Sequence, residues 1–299
     1  MTAAESLDFR SVLTKISKVP DRFRDFAVTG DRAATEFRIT PKLQEALLLA
    51  GVPNRLRGGT TLFDGTDLLN IALHLKIGSA QRTMLAWWTR ELSRPYGEFA
   101  SYRMDYVACC PEPHHAGECN YRIVEPDSSL VDITSNDPSL QVRHSATLTI
   151  RRKWPEFPPN MLELIDSVRD IGFLWLPGVL RDDVDFIQRE KVADCVGVAK
   201  ILNLRAASLG VTARHSVGRA LTPPFSSPHS WTEFLVGDIW VPVDPVFIDA
   251  LLEWELLEEG KWNRYSSIGG ILVRIGATWR PSVFHNGEPV QAQYPVYRA

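Results

Sequence analysis

Residues 194–245 read DCVGVAKILNLRAASLGVTARHSVGRALTPPFSSPHSWTEFLVGDIWVPVDP, and the order of elements in this stretch decides the fold. Asp194 is a helix-capping residue type, and Ala199, Leu202, Ala206 and Leu209 recur at helical spacing before Gly210 stops the run. Cys195 is therefore expected at a helix amino terminus. After Gly210, Val211, Ala213, His215 and Val217 alternate with Thr212, Arg214 and Ser216, which is the period of a strand. The loop LTPPFSSP leads to a second strand from His229 to Val236. Gly237-Asp238 suits a two-residue hairpin turn, and a third strand runs from Ile239 to Val243.

The hairpin makes a geometric prediction. With Gly237-Asp238 as the turn, Val236 faces Ile239, and counting outward sets Trp231 opposite Asp244. Side chains alternate faces, so His229, Trp231, Asp244 and Val246 are expected to share one face. Phe234, Val236, Ile239, Val241 and Val243 take the other face as core. His229 and Asp244 then become diagonal cross-strand neighbours, roughly 7–8 Å apart at the backbone.

These three residue types suit one chemistry. Only a thiolate attacks well, and a helix amino terminus and a nearby imidazolium both favour the thiolate over the thiol. A carboxylate fixes the imidazole tautomer and supports its positive charge. Cys195 would supply the nucleophile, His229 the base and later the acid, and Asp244 the group that orients the ring. Asp194 works against this by adding negative charge beside the thiol, unless capping engages its carboxylate.

The runs DCVGVAKILNLRAASLGVTARHSVG and HSWTEFLVGDIWVPVDP resemble the core of the transglutaminase-like cysteine enzymes. That family shares a Cys at a helix start, a leucine-rich helix, a G-(I/V)-x-A-R strand, a His-(A/S)-W-x-E strand and a W-x-x-x-D-P ending. The counterparts here are Cys195, Gly210 to Arg214, His229 to Glu233, and Trp240 to Pro245. The resemblance implies an α+β fold with a papain-like core, in which the helix bearing the nucleophile packs on an antiparallel sheet. It also carries Cys195, His229 and Asp244 over as a catalytic triad. Asp194 departs from the family, which often has a small or neutral residue there, and Val246 stands where a polar residue is usual. Upstream, Gln188 and Trp175 are candidates for an oxyanion donor, although a surface Gln and a core Trp are the plainer readings. Trp231 and Arg214 are candidates for substrate contact, with a structural ion pair the plainer reading of Arg214.

Outside this stretch the first hundred residues read as mainly helical. Thr40-Pro41 is a start signal for Leu43, Ala46, Leu47 and Ala50, ended by Gly51. Asp64 to Leu92 gives a longer helical region interrupted near Gly78. From about Gly97 to Arg152, segments such as YRMDYVA, YRIVEP and SATLTIRR favour antiparallel strands. WPEFPPN at 154–160 reads as a linker before a helix from Asn160 to Ile171. The expected division is an amino-terminal helical then β-rich region over 1–155, suited to substrate binding, and a catalytic core over 156–299.

CCPEPHHAGEC places Cys109, Cys110, His114, His115 and Cys119 close together, all ligand types for zinc. The paired C-x-x-C spacing is absent, and adjacent Cys109 and Cys110 would point to opposite sides of a continuing strand. Pro111 and Pro113 favour a loop bearing surface histidines, so no metal or other cofactor is expected. His144, His215 and His285 read as ordinary residues, and Trp87-Trp88 as core.

A net charge of −3 gives no electrostatic reason to expect nucleic acid or an anionic membrane as partner. MTAAESLDFRSVLTKISK lacks the continuous apolar run of a secretion signal, and no stretch approaches the roughly 20 apolar residues that span a bilayer. A cytoplasmic protein is expected. The expected partners are an acyl donor (peptide, protein or small-molecule amide or thioester) and an amine or water acceptor. Water would make the enzyme an amidase or protease, and an amine a transamidase or amide-forming acyltransferase. The other reading is an inactive domain that keeps the fold to bind a peptide or partner protein, which an intact triad disfavours. Near neutral pH, iodoacetamide should alkylate Cys195 much faster than the other three cysteines. Equal rates, or slow labelling indifferent to His229→Ala, would remove the triad.

Overall fold

Capping residues set most helix starts in the amino-terminal third. The computed structural model describes residues 3–112, 114–115 and 117–299, with side chains from residue 9 onward. Helix α1 (Ala3–Ile16) is followed by strand β1 (Phe26–Thr29) and helices α2 (Gly30–Glu36) and α3 (Pro41–Leu49). Strands β2 (Asn54–Arg57) and β3 (Thr60–Asp64) lead to helices α4 (Gly65–His74) and α5 (Ala80–Leu92). Thr40 accepts from the Leu43 N–H with Pro41 in the first turn, and Asp64 accepts from the Asp67 N–H. The three strands form a small antiparallel sheet in the order β1-β3-β2, where the sequence led us to expect helix. Its signal was Gly58-Gly59, both at positive φ in a two-residue turn.

The segment from Gly97 to Arg152 folds as expected into strands β4 (Phe99–Ala108), β5 (Cys119–Val124), β6 (Leu130–Ser135) and β7 (Val142–Arg151). Helix α6 (Pro159–Asp166) ends before the expected Ile171. Then come β8 (Gly172–Phe173), α7 (Gly178–Arg181), α8 (Val184–Glu190), β9 (Val192–Ala193) and α9 (Cys195–Ser208). Strands β10 (Ala213–Ala220), β11 (Ser227–Val236) and β12 (Ile239–Val243) precede helix α10 (Pro245–Glu253). The chain closes with β13 (Leu272–Gly276), β14 (Val283–His285), β15 (Glu288–Pro289), β16 (Ala292–Gln293) and β17 (Val296–Arg298). The class is α+β. Among the described residues, no helix is long and apolar enough to cross a membrane.

Two units interleave along the chain. The first comprises residues 1–89, 158–211 and 244–266, and the second 90–157, 212–243 and 267–299. In the first unit α9 packs against α6, α8 and α10 through the buried Val198, Ile201 and Leu202. Full burial of each such side chain contributes roughly 1.5–3 kcal/mol.

The second unit holds three antiparallel arrays. One is the sheet β12-β11-β10-β13, another is β15-β14-β5-β6, and in the third β4 is flanked by β7 on one edge and by β16 and β17 on the other. Tyr102, Met104 and Tyr106 of β4 share a buried core with Tyr121 and Ile123 of β5 and Val283 of β14. The β11–β12 hairpin has the expected register, from Val236 opposite Ile239 to Thr232 opposite Val243. Phe234 and Val241 meet in it fully buried, as the alternation required.

Gly218 is where β10 could accept no side chain. A Cβ there would lie 2.0 Å from the Val273 carbonyl oxygen of β13 and 2.8 Å from the Trp231 ring edge. The carbonyl is backbone, so a methyl group must push β13 away. Gly218→Ala should therefore cost about 1–3 kcal/mol in denaturant unfolding. An unchanged midpoint would show that this close approach is not a constraint.

Candidate active site

Cys195 is the first residue of α9 and is 4% exposed. Its neighbour Asp194 is fully buried and caps the helix, accepting from the backbone N–H of Val196 at 3.0 Å and of Gly197 at 3.4 Å. The other carboxylate oxygen of Asp194 accepts from Nε of Arg181, the last residue of α7. Burial pushes the Asp194 carboxyl above its ordinary pKa, with Arg181 and the two N–H groups pulling the other way. Burial also works against the Arg181 charge, but attraction to Asp194 and then to Cys195 outweighs it and raises the guanidinium pKa. Asp194 is thus a paired cap, which answers the objection that its charge raises from sequence. Arg181 was not singled out there.

Gly197 makes the start of α9 fit. A Cβ at this position would fall 2.4 Å from Ile187 Cδ1 and 3.3 Å from both the Ala193 Cβ and the Arg181 carbonyl. The same turn is anchored on its other side by the parallel pair β8–β9, with Phe173 opposite Ala193 and the Leu174 N–H bonded to the Ala193 carbonyl at 2.9 Å. Two residues on, Asn70 clamps the Trp175 backbone, accepting from its N–H at 2.9 Å and donating to its carbonyl at 3.0 Å. The Trp175 indole N–H is buried and has no hydrogen-bond partner among the described residues. Gln188, the other oxyanion candidate, is exposed on α8.

Asp244 opens α10. Its Oδ1 accepts from the Phe247 N–H at 3.2 Å, Pro245 occupies the first turn, and the residue is 1% exposed. This corrects one expectation: Val246 lies inside a helix, so it shares no strand face with His229. The physical reason is the Asp-Pro pair, a cap followed by a proline whose fixed φ suits the first turn. β12 ends at Val243, so the expected meeting of Trp231 with Asp244 falls one step past the last hydrogen-bonded pair.

His229, 3% exposed, stands on β11 opposite Gly218. Its ring lies nearly parallel to that of Trp231, at 13° with centroids 6.2 Å apart. Trp231 is buried and donates its indole N–H to Glu233 at 3.1 Å. Glu233 in turn accepts from Arg214 Nε at 2.5 Å, and the Arg214 guanidinium sits 4.1 Å above the Trp240 ring. Both residues considered for substrate contact are thus joined through the buried Glu233, with Trp231 buried and Arg214 half-buried. Cys195 and Asp244 belong to the first unit and His229 to the second.

A second group of chemically versatile residues lies in the second unit. Cys110, His115 and Cys119 gather with His285, whereas Cys109 and His114 are exposed outside the group. Sequence proximity identified three of the four. His285 was read as ordinary because nothing near it in the chain marks it.

Residues 179–245 match the family model of the transglutaminase-like superfamily. That span contains Cys195, His229 and Asp244, so this segment is transglutaminase-like, as its motifs imply. No curated protein matches the chain. A solved structure from Cytophaga hutchinsonii, named "Putative Cysteine Protease", aligns over 67% of this chain and 88% of its own at 14% identity and a TM-score of 0.31. A likeness that distant carries no conclusion about this chain.

The Arg181–Asp194 pair generates its own test. Arg181→Met strands a buried carboxylate and should cost roughly 2–4 kcal/mol in unfolding free energy. Asp194→Asn in the same chain should recover part of that loss. Strict additivity of the two changes would mean that the pair does not couple.

Proposed function

We propose that this protein is a cysteine-nucleophile acyl-transfer enzyme that works through a thioester on Cys195. The observation that carries the proposal is the position of Cys195 at the start of α9, inside the transglutaminase-like segment, with the adjacent Asp194 charge capped and paired to Arg181. The helix amino terminus and Arg181 both favour a negative sulfur. In this reading His229 is the base and later the acid, and Asp244 holds the imidazole in the required tautomer. Oδ1 of Asp244 serves the helix cap.

The chemistry follows from those roles. The Cys195 thiolate adds to the acyl carbonyl, and negative charge builds on the carbonyl oxygen. The buried Trp175 indole N–H, on a backbone held by Asn70, is the donor proposed for that oxyanion. The imidazolium of His229 gives its proton to the departing amine or thiol, which leaves the acyl group on sulfur. An amine or water, deprotonated by His229, then adds to the thioester and releases the acyl product with Cys195 regenerated. With an amine the outcome is amide formation or transamidation, and with water amide or peptide hydrolysis.

Intact mass spectrometry of the protein with small thioester and amide donors tests this. An acyl adduct should form on the wild type and be absent in Cys195→Ala, and His229→Ala should slow acylation about 10³-fold or more. Trp175→Phe should slow it by roughly 10²-fold with the chain still folded, since the clamp by Asn70 is to backbone and is kept. An adduct that survives in Cys195→Ala would overturn the assignment. No adduct with any donor would favour an inactive domain that binds a peptide or partner protein.

A further inference from the structure

Cys110, His115 and Cys119 fall within ten residues of one another and His285 is remote in sequence, yet the ligand atoms of all four lie within 4.8 Å of one another. Topology explains the meeting. Cys119 opens β5, and His285 closes β14, which pairs with β5 so that His285 stands opposite Tyr121. Cys119 and Tyr121 share a face of β5, so Cys119 and His285 are diagonal neighbours on one face. Cys110 follows the end of β4, turned inward where Cys109 is turned outward. His115 reaches the same place from the intervening loop, with Nε2 3.3 Å from the Cys119 sulfur.

The environment of these groups is unusual for ordinary residues. Cys119 is fully buried, Cys110 and His285 are each 6% exposed, and His115 is half-buried. The His285 ring packs against Tyr121 at 4.9 Å and His115 at 5.6 Å between centroids. Its Nε2 is buried with no hydrogen-bond partner among the described residues, a state that costs about 1–3 kcal/mol. Two thiols and two imidazoles thus converge at one place, with His115 and Cys119 in hydrogen-bonding contact and the unpartnered His285 Nε2 withdrawn from water beside them. With the thiols deprotonated, all four groups can turn lone pairs to a common point, which is what a cation requires.

We propose that these four side chains form a structural zinc site. Two cysteines and two histidines are a set that selects zinc, and four protein ligands leave no open position for chemistry. With Zn–S near 2.3 Å and Zn–N near 2.0–2.1 Å, neighbouring ligand atoms of a tetrahedron lie roughly 3.3–3.8 Å apart. The contact between His115 and Cys119 already has that length, and the widest pair needs to close by about 1 Å. On binding, the two thiols release two protons, and the complex of Zn²⁺ with two thiolates and two neutral imidazoles carries no net charge. A neutral complex suits the buried position. The site would tie the end of β4 to the ends of β5 and β14, and so join two of the second unit's sheets at one corner.

Elemental analysis of protein purified without chelators is the direct test. Wild type, Cys109→Ser and His114→Ala should each carry about one zinc per chain, and His285→Gln and Cys119→Ser should lose it at least tenfold. Because Cys119→Ser could fail to fold, a second measurement uses the wild type alone. Replacement of zinc by Co²⁺ should give thiolate-to-cobalt charge transfer and the ligand-field bands of a tetrahedral centre. Three results would each overturn the site: wild type without zinc and without cobalt–thiolate absorption, a Cys110–Cys119 disulfide found by mass spectrometry, or full zinc content in His285→Gln. None of these outcomes bears on acylation of Cys195.

Discussion

A carboxylate withdrawn from water has to be matched by donors or positive charge, and Asp194 is wholly withdrawn. Its two oxygens are divided between two partners with different effects. One side, given to the N–H groups of Val196 and Gly197, starts helix α9 and fixes where Cys195 falls in the first turn. The other, given to Arg181, ties that turn to the short helix before it. Gly197 completes the fit by letting Ile187 and the Arg181 carbonyl close on the helix. The same aspartate that looks harmful beside a thiol is therefore what orders the thiol's surroundings.

The β11 strand carries a comparable division of labour. One face gives Phe234 to the core, and the other lines up His229, Trp231 and Glu233. Glu233 receives both the Trp231 indole and the Arg214 guanidinium, so the aromatic ring beside His229 has little freedom to rotate. Gly218 opposite His229 leaves room for that ring edge, and β13 closes in behind it. The His229 ring lies nearly parallel to this constrained indole, at 13°.

What the sequence made legible was local. Asp194, the helix that follows, the Gly237-Asp238 turn and the register between β11 and β12 each depend on residues a few positions apart, and each was found where expected. The helix start at Asp244-Pro245 was missed, because the strand alternation running up to it was carried on through Val246. The β1-β3-β2 sheet was missed because all of β2 is exposed and so carries no alternating burial. Arg181 was missed because a lone arginine in a four-residue helix looks like surface, and only the fold shows the buried acid it meets. His285 was missed for the same reason at longer range. Its neighbours come from β5 and the loop before it, and no pattern within β14 announces them.

The pairing of β4 has a consequence for the order in which the protein is made. Along one edge β4 runs against β7 from Phe99 opposite Arg151 to Ala108 opposite Val142, a partner translated shortly afterwards. Its other edge is covered by β16 and β17, which pair through Ala292–Gln293 and Val296–Arg298. While the chain between them is being synthesised, β4 presents a bare row of N–H and C=O groups, lined on one face by Tyr102, Met104 and Tyr106. Such an edge is a template for other strands. That edge of the second unit therefore closes only once residues 292–298 are in place, a pairing across a far longer sequence separation than that of β4 with β7 and so the slower of the two to form.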